Sequence, residues 1–114
     1  MKMTGNNGDK SGMLGICRKA GKLKLGMDMV KAACGTGEAK AVLAASDIST
    51  KSLKEISYHC GRNGVKLYAL GLTMDRTAEV IGKRTGILAV TDAGFAKSFA
   101  KGLTEIETKA EDRS

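Results

Sequence analysis

The chain has 114 residues, a formal charge of +7 and a pI of about 9.5. That length holds one hydrophobic core rather than two, and the basic balance favours polyanions, nucleic acid before anionic membrane. No apolar run is long enough to cross a bilayer and no secretory-leader pattern stands out, so the expected setting is cytoplasmic, with no membrane partner.

In chain order, residues 1–11 are polar and glycine-rich and read as a flexible tail. Met13, Leu14, Ile16, Cys17 and Ala20 follow helical spacing, and Gly21 suits the turn that ends the helix. Lys22–Leu25 is a loop or short strand. Met27, Val30, Ala33 and Cys34 form a second apolar helical stripe, closed by Gly35 or Gly37. Ala41–Ala45 is a continuous apolar run, the pattern of a strand covered on both faces.

Asp47, Ser49 and Thr50 are capping residues ahead of a helix whose buried stripe is Leu53, Ile56 and Cys60, stopped within Gly61–Gly64. Val65–Leu70 is the next strand. Thr73 caps a helix carrying Met74, Ala78 and Ile81, ended by Gly82. A basic turn, Lys83-Arg84-Thr85-Gly86, leads into a third apolar strand over Ile87–Thr91. Asp92 caps the last helix, with Phe95, Phe99 and Leu103 inward. From Thr104 the chain turns acidic and polar, so residues 104–114 are expected to form a frayed tail behind a domain spanning 12–103. Alternation of strands and helices implies an α/β fold, a three-layer α/β/α sandwich around a small mixed, mostly parallel sheet.

Cys17, Cys34 and Cys60 are odd in number, widely spaced and without a Cys-x-x-Cys, so they read as small buried hydrophobes in a reducing compartment rather than as zinc ligands or a disulfide framework. The aromatics are only Tyr58, Tyr68, Phe95 and Phe99, too few for a stacking platform for single-stranded RNA. A nucleic-acid partner would therefore be read through shape, backbone and one or two bases.

His59 adjoins Cys60 in a helix, where neighbours at i and i+1 point apart, so they make no catalytic pair. Asp28, Asp47, Asp75 and Asp92 sit mostly at helix starts, where capping accounts for them. Gly35-Thr36-Gly37-Glu38 lacks the lysine of a phosphate loop, and no G-x-G-x-x-G is present. No catalytic residue, metal site or cofactor is expected.

The order Arg18-Lys19-Ala20-Gly21-Lys22-Leu23, Gly26, Val30, Ala33, Gly37, Ala39–Ala44, Asp47, Ile81-Gly82-Lys83 and Ala89-Val90-x-Asp92-x-Gly94-Phe95-Ala96-Lys97 resembles the kink-turn RNA-binding ribosomal-protein superfamily of the L-seven-Ae and L-thirty-e type. It is most similar to the short bacterial, Ylx-Q-like branch. The resemblance implies a monomeric binder of structured RNA, ribosomal RNA or another kink-turn RNA, without enzymatic activity. The family sets the start of its second helix against tandem sheared G·A pairs, and its loops grip the flanking backbone and pack on an extruded nucleotide. Carried onto this chain, the base-reading segment is Gly26-Met27-Asp28-Met29, with Asp28-Met29 where many members hold Asn-Glu, and Ala32, beside Lys31, where many hold lysine. Lys22, Lys24 and Lys31 supply cations, Asp47 lies near the same surface, and Lys83, Arg84, Thr85 and Gly86 form the second contacting loop. That loop is apolar in many members and basic here, which implies more phosphate gripping. The alternative, suggested by the altered Asp28-Met29 pair, is a protein-interaction or regulatory module that turns the same basic face to an acidic protein. An RNA-modifying enzyme's detached domain ranks last, for want of a cofactor signature.

Overall fold

The computed structural model describes residues 9–108. The elements run α1 (Asp9–Lys19), β1 (Leu23–Leu25), α2 (Met27–Thr36), β2 (Ala41–Ala44), α3 (Thr50–Asn63), β3 (Leu67–Ala69), α4 (Met74–Ile81), β4 (Ile87–Val90), α5 (Ala93–Gly102) and β5 (Thr104–Ile106). Three helices start where short polar side chains can take an orphan backbone N–H. Ser49 accepts from Ser52 N at 3.1 Å, Thr73 from Arg76 N at 3.1 Å, and Asp92 from Phe95 N at 2.9 Å. Gly37, Gly64 and Gly82 close α2, α3 and α4 in the left-handed conformation.

The sheet order is β1-β4-β2-β3-β5. Among the described residues only β2 and β3 pair in parallel; β1–β4, β4–β2 and β3–β5 are antiparallel. The α/β sandwich is as expected, but its sheet is mostly antiparallel rather than mostly parallel. The apolar runs of β2 and β4 are buried along their whole length, and their alternating side chains feed two cores. Leu43, Leu88, Val90 and Tyr68 pack with Leu14, Cys17, Ile81 and Phe99, under α1, α4 and α5. Val42, Ala44, Ala89 and Leu67 pack with Val30, Cys34, Ile56 and Cys60, under α2 and α3. All three cysteines are free and buried, in keeping with their reading as core residues.

The ends of the folded part also differ from expectation. Residues 1–8 and 109–114, most of the two tails, lie outside the described residues. Helix α1 starts at Asp9, inside the stretch read as tail, and Thr104–Ile106 are not frayed but form the last strand. Main-chain pairing with β3 accounts for β5: Ala69 opposes Thr104, Tyr68 opposes Glu105 and Leu67 opposes Ile106. An edge strand can be polar because one side of its backbone and most of its side chains stay in water.

The direction of β4 decides what meets at each edge. Leu25 lies opposite Leu88, and Ala44 opposite Ile87. The C-terminal ends of β1, β2 and β3 therefore share one edge with the N-terminal end of β4. Had β4 run parallel to β2, the Lys83–Gly86 turn that precedes it would open at the far edge.

Candidate nucleic-acid interface

At that shared edge the chain leaves β1 through Gly26 and enters α2 at once. Gly26 adopts φ 94° and ψ 155°, and its N–H donates to the Ile87 carbonyl at 3.0 Å. That bond ties the start of α2 to the first residue of β4. Unlike α3, α4 and α5, α2 has no side chain capping its N-terminus. Its first-turn N–H groups and the positive end of its dipole face outward. Asp28 and Met29, on that first turn, are exposed, Met29 by 51%. The carboxylate of Asp28 can accept from base N–H groups, whereas Met29 offers only an apolar surface.

Two loops close around this helix end. Ala45 N–H donates to the Gly86 carbonyl at 2.9 Å, and Ser46 N–H to the Leu72 carbonyl at 2.8 Å. Asp47 accepts the Met74 N–H at 2.8 Å, so its carboxylate holds the start of α4 in place. Gly86 passes so close to its neighbours that a Cβ there would stand 3.1 Å from Ile48 and 3.2 Å from the Met74 sulfur. Thr85 is 7% exposed, and its hydroxyl donates to the Ile87 carbonyl at 3.0 Å. Gly26 and Thr85 thus bind the same carbonyl oxygen from two sides, and the Thr85 side chain acts as an internal brace. Between the three segments lies a cavity of about 270 Å³ walled by Met27, Ile48, Met74, Gly86 and Ile87, with Ser49 and Ser52 on its rim. It is apolar in the main and flanked by hydroxyls and free helix N–H groups, a combination suited to one flat ligand group.

The predicted cations are placed unequally. Lys24 is the middle residue of β1, opposite Ala89 and half-buried, and Lys83 is exposed in the turn before β4. Arg84 stands in the same turn, but its Nε donates to Asp75 at 2.8 Å. The Asp75 carboxylate, by that bond and by its charge, holds the guanidinium pKa above its ordinary value, with Asp47 adding to the effect. Lys31 lies beyond the first turn of α2 and is paired with Glu55 on α3 at 2.5 Å. That hydrogen bond raises the Lys31 pKa and lowers that of Glu55. Lys22 is not brought to this edge. It precedes Leu23, which pairs with Val90, and its carbonyl accepts the Thr91 N–H at the opposite end of the sheet. The three-residue β1 separates it from Gly26 by roughly 13 Å of extended chain.

The geometry therefore gathers Lys24, Gly26, Met27, Asp28, Met29, Asp47, Lys83, Arg84, Thr85 and Gly86, leaves Lys31 one step aside, and sets Lys22 apart. It adds Ile48 and Met74 as cavity walls. The sequence reading places Met74 on a helical stripe and gives Ile48 no role; their shared role depends on two segments that meet only in the fold. Among the described residues no group of three or more His, Cys, Asp or Glu could hold a metal ion, and no helix is long and apolar enough to cross a membrane.

Residues 11–100 match the family model described as the ribosomal protein L7Ae/L30e/S12e/Gadd45 family. The chain belongs to this family. Members of the L7Ae family are known for binding RNA in ribosomal and kink-turn settings rather than for catalysis. Among solved structures, this L7Ae-type chain is similar to a protein of unknown function from Bacillus halodurans C, with a TM-score of 0.76 and 26% identity over 81% of this chain and 93% of that one. No protein with a curated description matches it.

Proposed function

We propose that this L7Ae-family chain binds structured RNA as a cytoplasmic, ribosome-associated monomer of the Ylx-Q-like branch, and that it reads a bent duplex of the kink-turn kind. The observation that carries the reading is the uncapped start of α2 standing beside an apolar cavity at one sheet edge. In this reading the first-turn N–H groups and Asp28 meet base edges exposed by sheared G·A pairs. The cavity between Met27, Ile48 and Gly86 receives the unstacked nucleotide, since sequence-specific RNA recognition favours splayed-out bases. Lys24 and Lys83 grip the flanking phosphates, and Arg84, already fastened to Asp75, presents its remaining N–H groups at a fixed place. Met29 substitutes an apolar contact for a polar one, which shifts the balance of recognition from base hydrogen bonds toward shape.

A titration against a kink-turn RNA, and against the same RNA with its G·A pairs replaced by Watson–Crick pairs, tests this directly. Tight binding is expected to the first and a loss of at least about ten-fold on the second, or about 1.4 kcal/mol. Equal binding to both would replace motif recognition by a plain backbone contact, and binding to neither would favour the acidic-protein partner. Across a salt series the log–log slope should steepen by about −0.7 to −0.9 for each phosphate neutralised; a flat series would refute the phosphate grip.

Charge reversal gives a third check. Lys83→Glu and Lys24→Glu are expected to weaken RNA binding, with little change in melting temperature for the exposed Lys83. Lys22→Glu, at the other edge, is expected to leave affinity for the kink-turn RNA close to that of the unaltered chain. Equal losses from all three would mean a diffuse electrostatic contact rather than a site.

A further inference from the structure

At the sheet edge opposite the interface, α5 leaves a groove of about 400 Å³ against β2 and β3. Its helical wall is built from Ala93, Ala96 and Ala100, which stand at i, i+3 and i+7 on one face of α5 and leave space where larger side chains would meet the sheet. Lys97 sits in the same stripe. Lys40 and Lys66, which lead into β2 and β3, also line it, and none of the lining residues is acidic.

These charges are poorly compensated. Lys66 approaches Glu105 at 3.5 Å, the Lys40 ammonium donates to the neutral Gly37 carbonyl at 3.2 Å, and no carboxylate among the described residues pairs with Lys97. Lysines gathered near one concavity with a single carboxylate between them favour an anion there. A second observation points the same way. Tyr68 lines the groove, is only 7% exposed, and its hydroxyl has no hydrogen-bond partner among the described residues. A hydroxyl that its own chain leaves without a partner is free to hydrogen-bond a ligand atom in the groove.

We propose that this groove binds a nucleoside phosphate. The phosphate lies among Lys40, Lys66 and Lys97, the flat body rests against the alanine face of α5, and the Tyr68 hydroxyl hydrogen-bonds the ligand. Several ammonium groups match a phosphate better than a single carboxylate, and an alanine wall with no bulky side chain admits a planar ring. The site uses none of the residues of the α2 interface, so it stands or falls separately from the kink-turn reading. A free nucleotide and one nucleotide of an RNA strand share this chemistry.

The test is a nuclear magnetic resonance titration of the whole ¹⁵N-labelled chain with adenosine 5′-monophosphate, adenosine, inorganic phosphate and an unstructured pentaadenylate. Adenosine monophosphate should give saturable shifts at the amides of Lys66, Ala93 and Lys97, with adenosine and phosphate each weaker by about ten-fold or more. Lys97→Glu, at an exposed position, should weaken the nucleotide about ten-fold and leave the amides at the start of α2 unmoved; Tyr68→Phe should weaken it by a smaller factor. Pentaadenylate binding about ten-fold tighter than the mononucleotide would make an RNA strand the source, and equal or weaker binding would make it the free nucleotide. No saturable shift in the groove with either probe, or undiminished binding by Lys97→Glu, would overturn the proposal.

Discussion

Gly26→Ala is expected to lower folding stability by about 1–3 kcal/mol and to weaken binding to a kink-turn RNA by at least about ten-fold. Gly26 holds φ 94° and ψ 155°, a region open almost only to glycine. A Cβ at this position would meet no atom within 4 Å. The penalty is therefore conformational, and a residue larger than alanine should add little to it. To escape the strain an alanine must rotate its backbone, which swings the N–H away from the Ile87 carbonyl it reaches at 3.0 Å. The first turn of α2 then loses its anchor on β4, and the N–H donors proposed to meet the RNA turn with it. Urea unfolding and the kink-turn titration, run on one preparation, separate the two effects. An alanine variant that binds as tightly as the unaltered chain would show that the entry into α2 does not position the recognition surface.

Leu88→Ala should cost about 2–5 kcal/mol, the range for deleting a buried leucine whose surroundings cannot collapse into the space. Leu88 is fully buried and lies opposite Leu25 on one neighbouring strand and Leu43 on the other. It packs in the core under α1, α4 and α5, away from the layer that carries α2. Against a total stability of about 5–15 kcal/mol for a small domain, such a loss is large. Yet the side chain makes no part of the interface. At low temperature, where the variant remains mostly folded, its affinity for RNA should match that of the unaltered chain once the unfolded fraction is counted. A stability loss under about 1 kcal/mol would mean the core closes over the gap; a loss of affinity in the folded state would mean this layer shapes the interface.

The local grammar of the chain was legible. Ser49, Thr73 and Asp92 are the caps that their residue types suggest, and Gly64 and Gly82 end the helices they appear to end. What periodicity does not encode is direction. An apolar run such as Ile87–Val90 reads the same whether it runs up or down, and here its direction brings the Lys83–Gly86 turn to the start of α2. The strand Thr104–Ile106 carries a single apolar side chain, Ile106, too little for a pattern, and its existence rests on backbone pairing with β3.

The site residues divide in the same way. Gly26 and the basic turn are visible as residue types at telling places. The pairing of Lys31 with Glu55, 24 positions away, and the use of Thr85 as a brace on Ile87 depend on what folding brings near. So does the position of Lys22, close to Lys24 in sequence yet outside the basic group at the α2 edge.

The insertion of β4 between β1 and β2 sets the order in which this protein can become competent. Among the described residues β1 has no other strand neighbour in the sheet, so a growing chain that has not yet supplied residues 87–90 cannot pair it, and the entry into α2 stays unanchored. Contacts of such long sequence separation form slowly. The proposed RNA surface is therefore complete only after nearly all of the described chain has been made. Because it is shared among Gly26, the Asp47 loop and the Lys83–Gly86 turn, a bound RNA would hold distant segments together and stabilise the whole domain by mass action. RNA would then serve this chain as a late folding ligand as well as a target.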